Sequence, residues 1–131
     1  MAMVHAIVAD LMFGSKVAAT ARAHGVEHRG ARSLAGLREA SGEPALVVVD
    51  LEAELPDGDP LDAIAEALRR TPTPKVVAFA GHLLTDRLEA ARRAGAHEVL
   101  SRGGFASGLE RLMASIASVS GSPQGEPPEK Q

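Results

Sequence analysis

Apolar positions along the chain fall into two alternating kinds of run. Five are short, rich in β-branched residues and nearly continuous, at residues 4–10, 26–31, 45–51, 75–80 and 97–101. Ala45-Leu-Val-Val-Val-Asp50 is apolar at consecutive positions until its last residue. That pattern predicts a central parallel strand covered on both faces. The run at 26–31 is the weakest of the five. Between the runs, apolar residues recur at helical spacing. Residues 15–24 open on Ser15, a good N-cap, and close before Gly25. Residues 33–40 carry Leu34 and Leu37, and residues 61–70 carry Leu61, Ile64 and Leu68 at i, i+3 and i+7. Residues 85–94 hold Leu88 and Ala91 and stop at Gly95. Residues 105–118 place Leu109, Leu112, Met113 and Ile116 on one stripe.

Strict alternation with crossovers this long forces parallel strands joined by right-handed connections. The prediction is an α/β fold, a doubly wound three-layer sandwich spanning residues 1–119. Residues 120–131 contain three Pro, two Gly and no large apolar side chain, which predicts a disordered tail. In a doubly wound sheet, ligands sit beyond the carboxyl ends of the strands. Asp10, Asp50, Ala80 to His82 and Arg102 stand at those ends and are the residues to read for function.

Composition narrows the chemistry. The 131 residues suit one domain, with 45% apolar and 24% charged residues. No run of about 18 apolar residues predicts a membrane span, and the first residues lack a basic leader, so a cytoplasmic protein is expected. Cys is absent, which excludes disulfides, thiol catalysis and Cys-ligated zinc. Net charge is −3 with Arg scattered among Asp and Glu, so no nucleic-acid partner is expected. Three Phe and neither Tyr nor Trp leave little to stack on bases. His5, His24, His28 and His97 lack metal-ligand spacing. Gly103-Gly104 reads as a flexible turn, His82 as a solvent-facing loop residue, and Arg92-Arg93 as a solvated helix face.

Two segments resemble response-regulator receiver domains, the flavodoxin-like modules that accept a phosphoryl group on an aspartate. Pro44-Ala-Leu-Val-Val-Val-Asp-Leu-Glu-Ala-Glu-Leu-Pro-Asp-Gly58 is similar to the family's third strand and the loop after it. Ala91-Arg-Arg-Ala-Gly-Ala-His-Glu-Val-Leu-Ser-Arg-Gly-Gly-Phe105 is similar to the segment around its fifth strand. The likeness runs from about Val4 to Ile116 and implies five parallel strands in the order 2-1-3-4-5. It also implies Asp50 as phosphoacceptor candidate, with Asp10, Glu52, Ala80, His82 and Arg102 in the cleft. Asp10 and Asp50 would be the Mg²⁺ ligands of an active site; no other cofactor is expected.

Departures from the family's pattern are as informative. Ala9-Asp10-Leu11 offers one acid where receivers usually have two, and Ala80 stands where they carry Thr or Ser. Arg102-Gly103 replaces Lys-Pro, and Val99 takes the place of a switching aromatic. Removing a preformed donor such as that hydroxyl typically costs about 3 kcal/mol of transition-state stabilisation. A resident Asp50–Arg102 ion pair is expected in place of a metal, and Asp10 is expected to cap or bond the loop before Ser15. The reading is a stand-alone, non-enzymatic receiver-like module. It works by protein contact, through the face of the fourth helix, fifth strand and fifth helix or through a homodimer, and phosphorylation does not control it. The alternative is a phosphorelay receiver taking a phosphoryl group on Asp50 from a histidine kinase. A flavin or cobalamin carrier has little support, because the loop after the first strand offers only Phe13, Gly14 and Ser15, with no His.

Overall fold

The computed structural model describes residues 1–120. Five strands and five helices alternate along the chain: β1 (Met3–Ile7), α1 (Leu11–Ala23), β2 (Glu27–Ala31), α2 (Leu34–Glu39) and β3 (Leu46–Asp50). They continue as α3 (Pro60–Leu68), β4 (Lys75–Ala80), α4 (Thr85–Ala94), β5 (Glu98–Ser101) and α5 (Arg102–Ser120). All strand pairs are parallel, and the sheet order is β2-β1-β3-β4-β5. The α/β sandwich and the strand order expected from the sequence are both present.

Successive strand side chains point to opposite faces, and the core divides accordingly. Val4, Ala6, Leu46, Val48, Val77 and Phe79 pack against Val17 and Ala21 of α1 and Leu109 and Met113 of α5. Ile7, Val47, Val49, Val76 and Ala78 pack on the other face, against Leu37, Ile64, Leu88 and Ala91 of α2, α3 and α4. Covering on both faces is why β1 and β3 are buried at all five of their positions.

Most element ends shift by a residue or two from the sequence reading, and the end of β1 and the starts of α1 and α5 shift further. β1 ends at Ile7, not at residue 10, because Asp10 is the N-cap of α1: its Oδ1 accepts from the Met12 and Phe13 amides at 2.8 and 3.1 Å. Ser15 therefore lies inside α1 and caps nothing. α5 starts at Arg102, ahead of the expected residue 105, with Ser101 Oγ accepting from the Gly104 amide at 3.0 Å. That is the hydrogen bond of an N-cap, so Gly103-Gly104 forms the first helical turn and not a free loop. α5 also includes Ser120, while the rest of the expected tail, residues 121–131, lies outside the described residues. No helix among the described residues is long and apolar enough to cross a membrane.

Candidate functional site at the strand ends

Asp50 closes β3 with 1% of its surface exposed. Its Oδ2 accepts from the Ala9 amide at 3.1 Å and its Oδ1 from the Glu52 amide at 3.0 Å. Two main-chain donors thus satisfy a carboxylate that burial would otherwise penalise. Its side chain leaves β3 on the same face as Leu46 and Val48, the α1–α5 side.

The expected Asp50–Arg102 pair is not formed. Arg102 Nη2 donates instead to Glu52 Oε2 at 2.8 Å, and its Nη1 stands 3.8 Å from Asp10 Oδ2. Glu52 has the longer reach, and Asp50 already has its two amides. Glu52 Oε2 also accepts from the Gly81 amide at 2.8 Å. The Arg102 hydrogen bond, then the Gly81 one, hold the Glu52 carboxyl below the usual carboxylate range. The same Glu52 contact raises the pKa of Arg102. Below the guanidinium lie two of the protein's three Phe rings: Arg102 Cζ is 5.0 Å from the Phe13 ring centre and 5.7 Å from that of Phe79. Phe79 stacks in turn on Phe105 at 4.4 Å. A flat cation over flat rings is a fit that an ammonium cannot reproduce.

Asp10, Asp50, Glu52, Ala80 and Arg102 thus converge at one end of the sheet. Ala80 is fully buried and pairs in register with Ser101, whose hydroxyl is taken by Gly104. His82 is exposed and is not part of the hydrogen-bonded network. Asp57 serves elsewhere: its oxygens accept from the Leu34 and Ala35 amides, anchoring α2, and those bonds lower its pKa. Val99 is half-buried and packs toward α4. The role of the Gly81 amide was missed although Gly81 lies in the strand-end stretch 80–82, because a backbone donor carries no side-chain signal. Arg87 was also missed: from α4 it donates to the Leu51 carbonyl at 2.8 Å and pairs with Asp59, the N-cap of α3.

A hard divalent cation needs carboxylate oxygens free to turn toward a common point. The amide bonds to Asp10 and Asp50 leave their oxygens further lone pairs, but the Arg102 guanidinium stands among the three acids and already supplies the positive charge there. No three His, Cys, Asp or Glu among the described residues are grouped to hold a metal. This donor set does not fit Mg²⁺ at Asp10 and Asp50.

Comparison with solved structures matches the architecture. A response regulator receiver domain protein from Clostridium thermocellum superposes with a TM-score of 0.71 at 22% identity, covering 92% of this chain and 98% of that one. The chain has the receiver fold. NtrX from Brucella abortus in complex with ADP superposes with a TM-score of 0.75 at 21% identity, over 92% of this chain and 29% of the larger protein. A response regulator protein from Burkholderia pseudomallei, whose structure holds a phosphorylated aspartic acid, a calcium ion and citrate, matches at 0.71 and 17% identity, over 92% and 71%. No protein-family model and no curated protein matches the sequence. Placed in the receiver fold, the Glu52–Arg102–Asp10 network lies at the carboxyl ends of the strands, where such sheets bind ligands.

Proposed function

We propose that this chain is a receiver-like signalling module that acts by binding another protein, with no phosphorylation step in its control. One observation carries the reading: the donors that would receive a phosphoryl group's oxygens, the Gly81 amide and Arg102, already hold the Glu52 carboxylate. Phosphoryl transfer to an aspartate needs an accessible nucleophile, a cation and free donors for the remaining oxygens. Asp50 is enclosed, Ala80 has no hydroxyl, and the carboxylates do not fit a divalent cation. A conformational readout would further need a bistable element, and Val99 offers no ring to move. The module is non-enzymatic on this reading. Its partner is another signalling protein, docked on the face made by α4, β5 and α5; Leu83 and Leu84 lie exposed just before α4.

Treatment with acetyl phosphate or beryllofluoride and millimolar Mg²⁺ tests this directly. The expected result is unchanged mass, melting temperature and amide spectrum. Asp50→Asn is expected to leave partner affinity within about threefold, under 1 kcal/mol. Stable uptake of one phosphoryl group, abolished by Asp50→Asn and accompanied by altered partner affinity, would establish the phosphorelay alternative instead.

A further inference from the structure

We propose that the cleft between α2 and α3 is a second docking site, and that its occupant is an acidic peptide segment of another protein carrying an aliphatic side chain. Both helices run antiparallel to the strands, so their last turns meet at the amino ends of the strands, at the opposite end of the sheet from Asp50. The cleft shares no residue with the Glu52–Arg102 network or with the face of α4, β5 and α5. The proposal therefore stands or falls apart from the reading of Asp50.

The cleft encloses about 410 Å³, with Leu37, Val47 and Ala67 as its apolar lining. These three belong to the core on that face, so an aliphatic side chain entering here extends the core and leaves water. Around them stand three arginines, Arg38, Arg69 and Arg70, against one acid, Glu66. In a chain of net charge −3 that is a local reversal of sign.

The arginines are largely unoccupied. Arg38 Nη1 stands 3.6 Å from Glu66 Oε2, beyond hydrogen-bond distance. Arg70 Nη2 donates to the Leu37 carbonyl at 3.1 Å, which ties the end of α3 to α2 and holds the guanidinium in the wall. Among the described residues, neither Arg69 nor Arg70 pairs with a carboxylate. Each guanidinium is a planar fork of donors that matches a carboxylate. Cations in the last turn of a helix also suit its dipole. The dipole does not account for the apolar cleft between them, nor for Glu66 Oε1, which is buried with no hydrogen-bond partner. A peptide supplies both missing parts, carboxylates for the arginines and N–H donors for Glu66. A nucleic acid would bring phosphates against the Glu66 charge, and the cleft has no aromatic ring for its bases to stack on.

The test is selection of a random-sequence peptide library on the full chain, followed by titration of the enriched peptides while amide spectra are recorded. Enriched sequences are expected to combine Asp or Glu with an aliphatic residue, to shift the amides of residues 37–38 and 66–70, and to bind more weakly as salt rises. Arg69→Glu alters an exposed side chain and is expected to weaken binding at least about tenfold. Arg38→Glu is expected to act likewise and serves if Arg69→Glu misfolds. No enriched sequence, enriched sequences without acids, shifts centred outside the cleft, or affinity indifferent to both variants would overturn the proposal. So would single-stranded RNA binding the cleft more tightly than the peptides, or self-association removed by Arg69→Glu, which would give the cleft to a nucleic acid or to a second copy of the chain.

Discussion

His5 sits in the middle of β1 with none of its surface exposed. Its Nε2 donates to the Ser41 carbonyl at 3.1 Å, so the ring is the neutral Nε2–H tautomer and Nδ1 is buried without a partner. Burial, foremost, and the charges of Arg70 and Arg29 push its pKa below the ordinary 6.5. Burial does the same for His28 on β2. Unfolded chains bind these protons near the ordinary value and the folded chain resists them, so the unfolded state carries more protons on acidification. Stability from this source is complete above about pH 6.5 and is lost as pH falls through the lowered folded values. Melting temperature measured from pH 8 to pH 5 is expected to fall, and less steeply in His5→Leu. That variant gives up the Ser41 bond, a loss of about 1 kcal/mol at neutral pH. A pH profile unchanged by His5→Leu would show that protons enter elsewhere. Arg102 makes the complementary point among the exposed groups: its value lies in the flat stacking over Phe13 and Phe79 and the reach to two acids, features that charge alone does not supply.

Elements here begin where a side chain can satisfy free amides. Asp10 starts α1, Ser33 starts α2, Asp59 with Asp62 forms a capping box at α3, and Pro60 fills its first turn. The start of α1 matters most for the site, because the residue that caps it also faces Arg102. Asp10→Ala is expected to cost about 1 kcal/mol through the lost cap. Amide exchange at Met12 and Phe13 should quicken, and the Phe13 ring under Arg102 should loosen. Thermal unfolding with exchange at those two amides checks this; unchanged exchange would mean that another group caps α1. The capping signal of Asp10 was legible, since a bond to the adjoining loop was expected of it. Its consequence was not: once Asp10 turns the chain, the strand before it must stop at Ile7. At the opposite end, Gly95 closes α4 with φ of 105°, a left-handed conformation that favours glycine, and the sequence showed that stop plainly.

At the scale of the whole molecule, the sheet separates two cores that share strands but not side chains. Ile64 belongs to the α2–α4 side and Leu109 to the α1–α5 side. Ile64→Val is expected to cost about 0.5–1.5 kcal/mol and Leu109→Ala about 2–5 kcal/mol. Because the sheet stands between the two sites, the double variant should equal their sum within about 0.5 kcal/mol. Denaturant unfolding of the four proteins measures this, and a larger coupling would mean that strain crosses the sheet. The fold was legible because burial imposes local periods: β3 must be apolar on both faces, and helical stripes must recur every three or four residues. Asp50 was legible for the same reason, as a carboxylate that such a strand tolerates only at its end. The partners within the site were not. Arg102 could have paired with any of three acids, and nothing local ranks Glu52 above Asp50. Tertiary structure made that choice by bringing the Gly81 amide beside the Glu52 side chain and by satisfying Asp50 from the main chain. It also gathered Phe13, Phe79 and Phe105, far apart in sequence, into one platform. Periodicity is a property of neighbours along the chain, so the sequence by itself determined the elements, their alternation and the faces they bury. Which donor meets which acceptor depends on the register of β3, β4 and β5 and on where α5 begins, and those are decided only when the sheet closes.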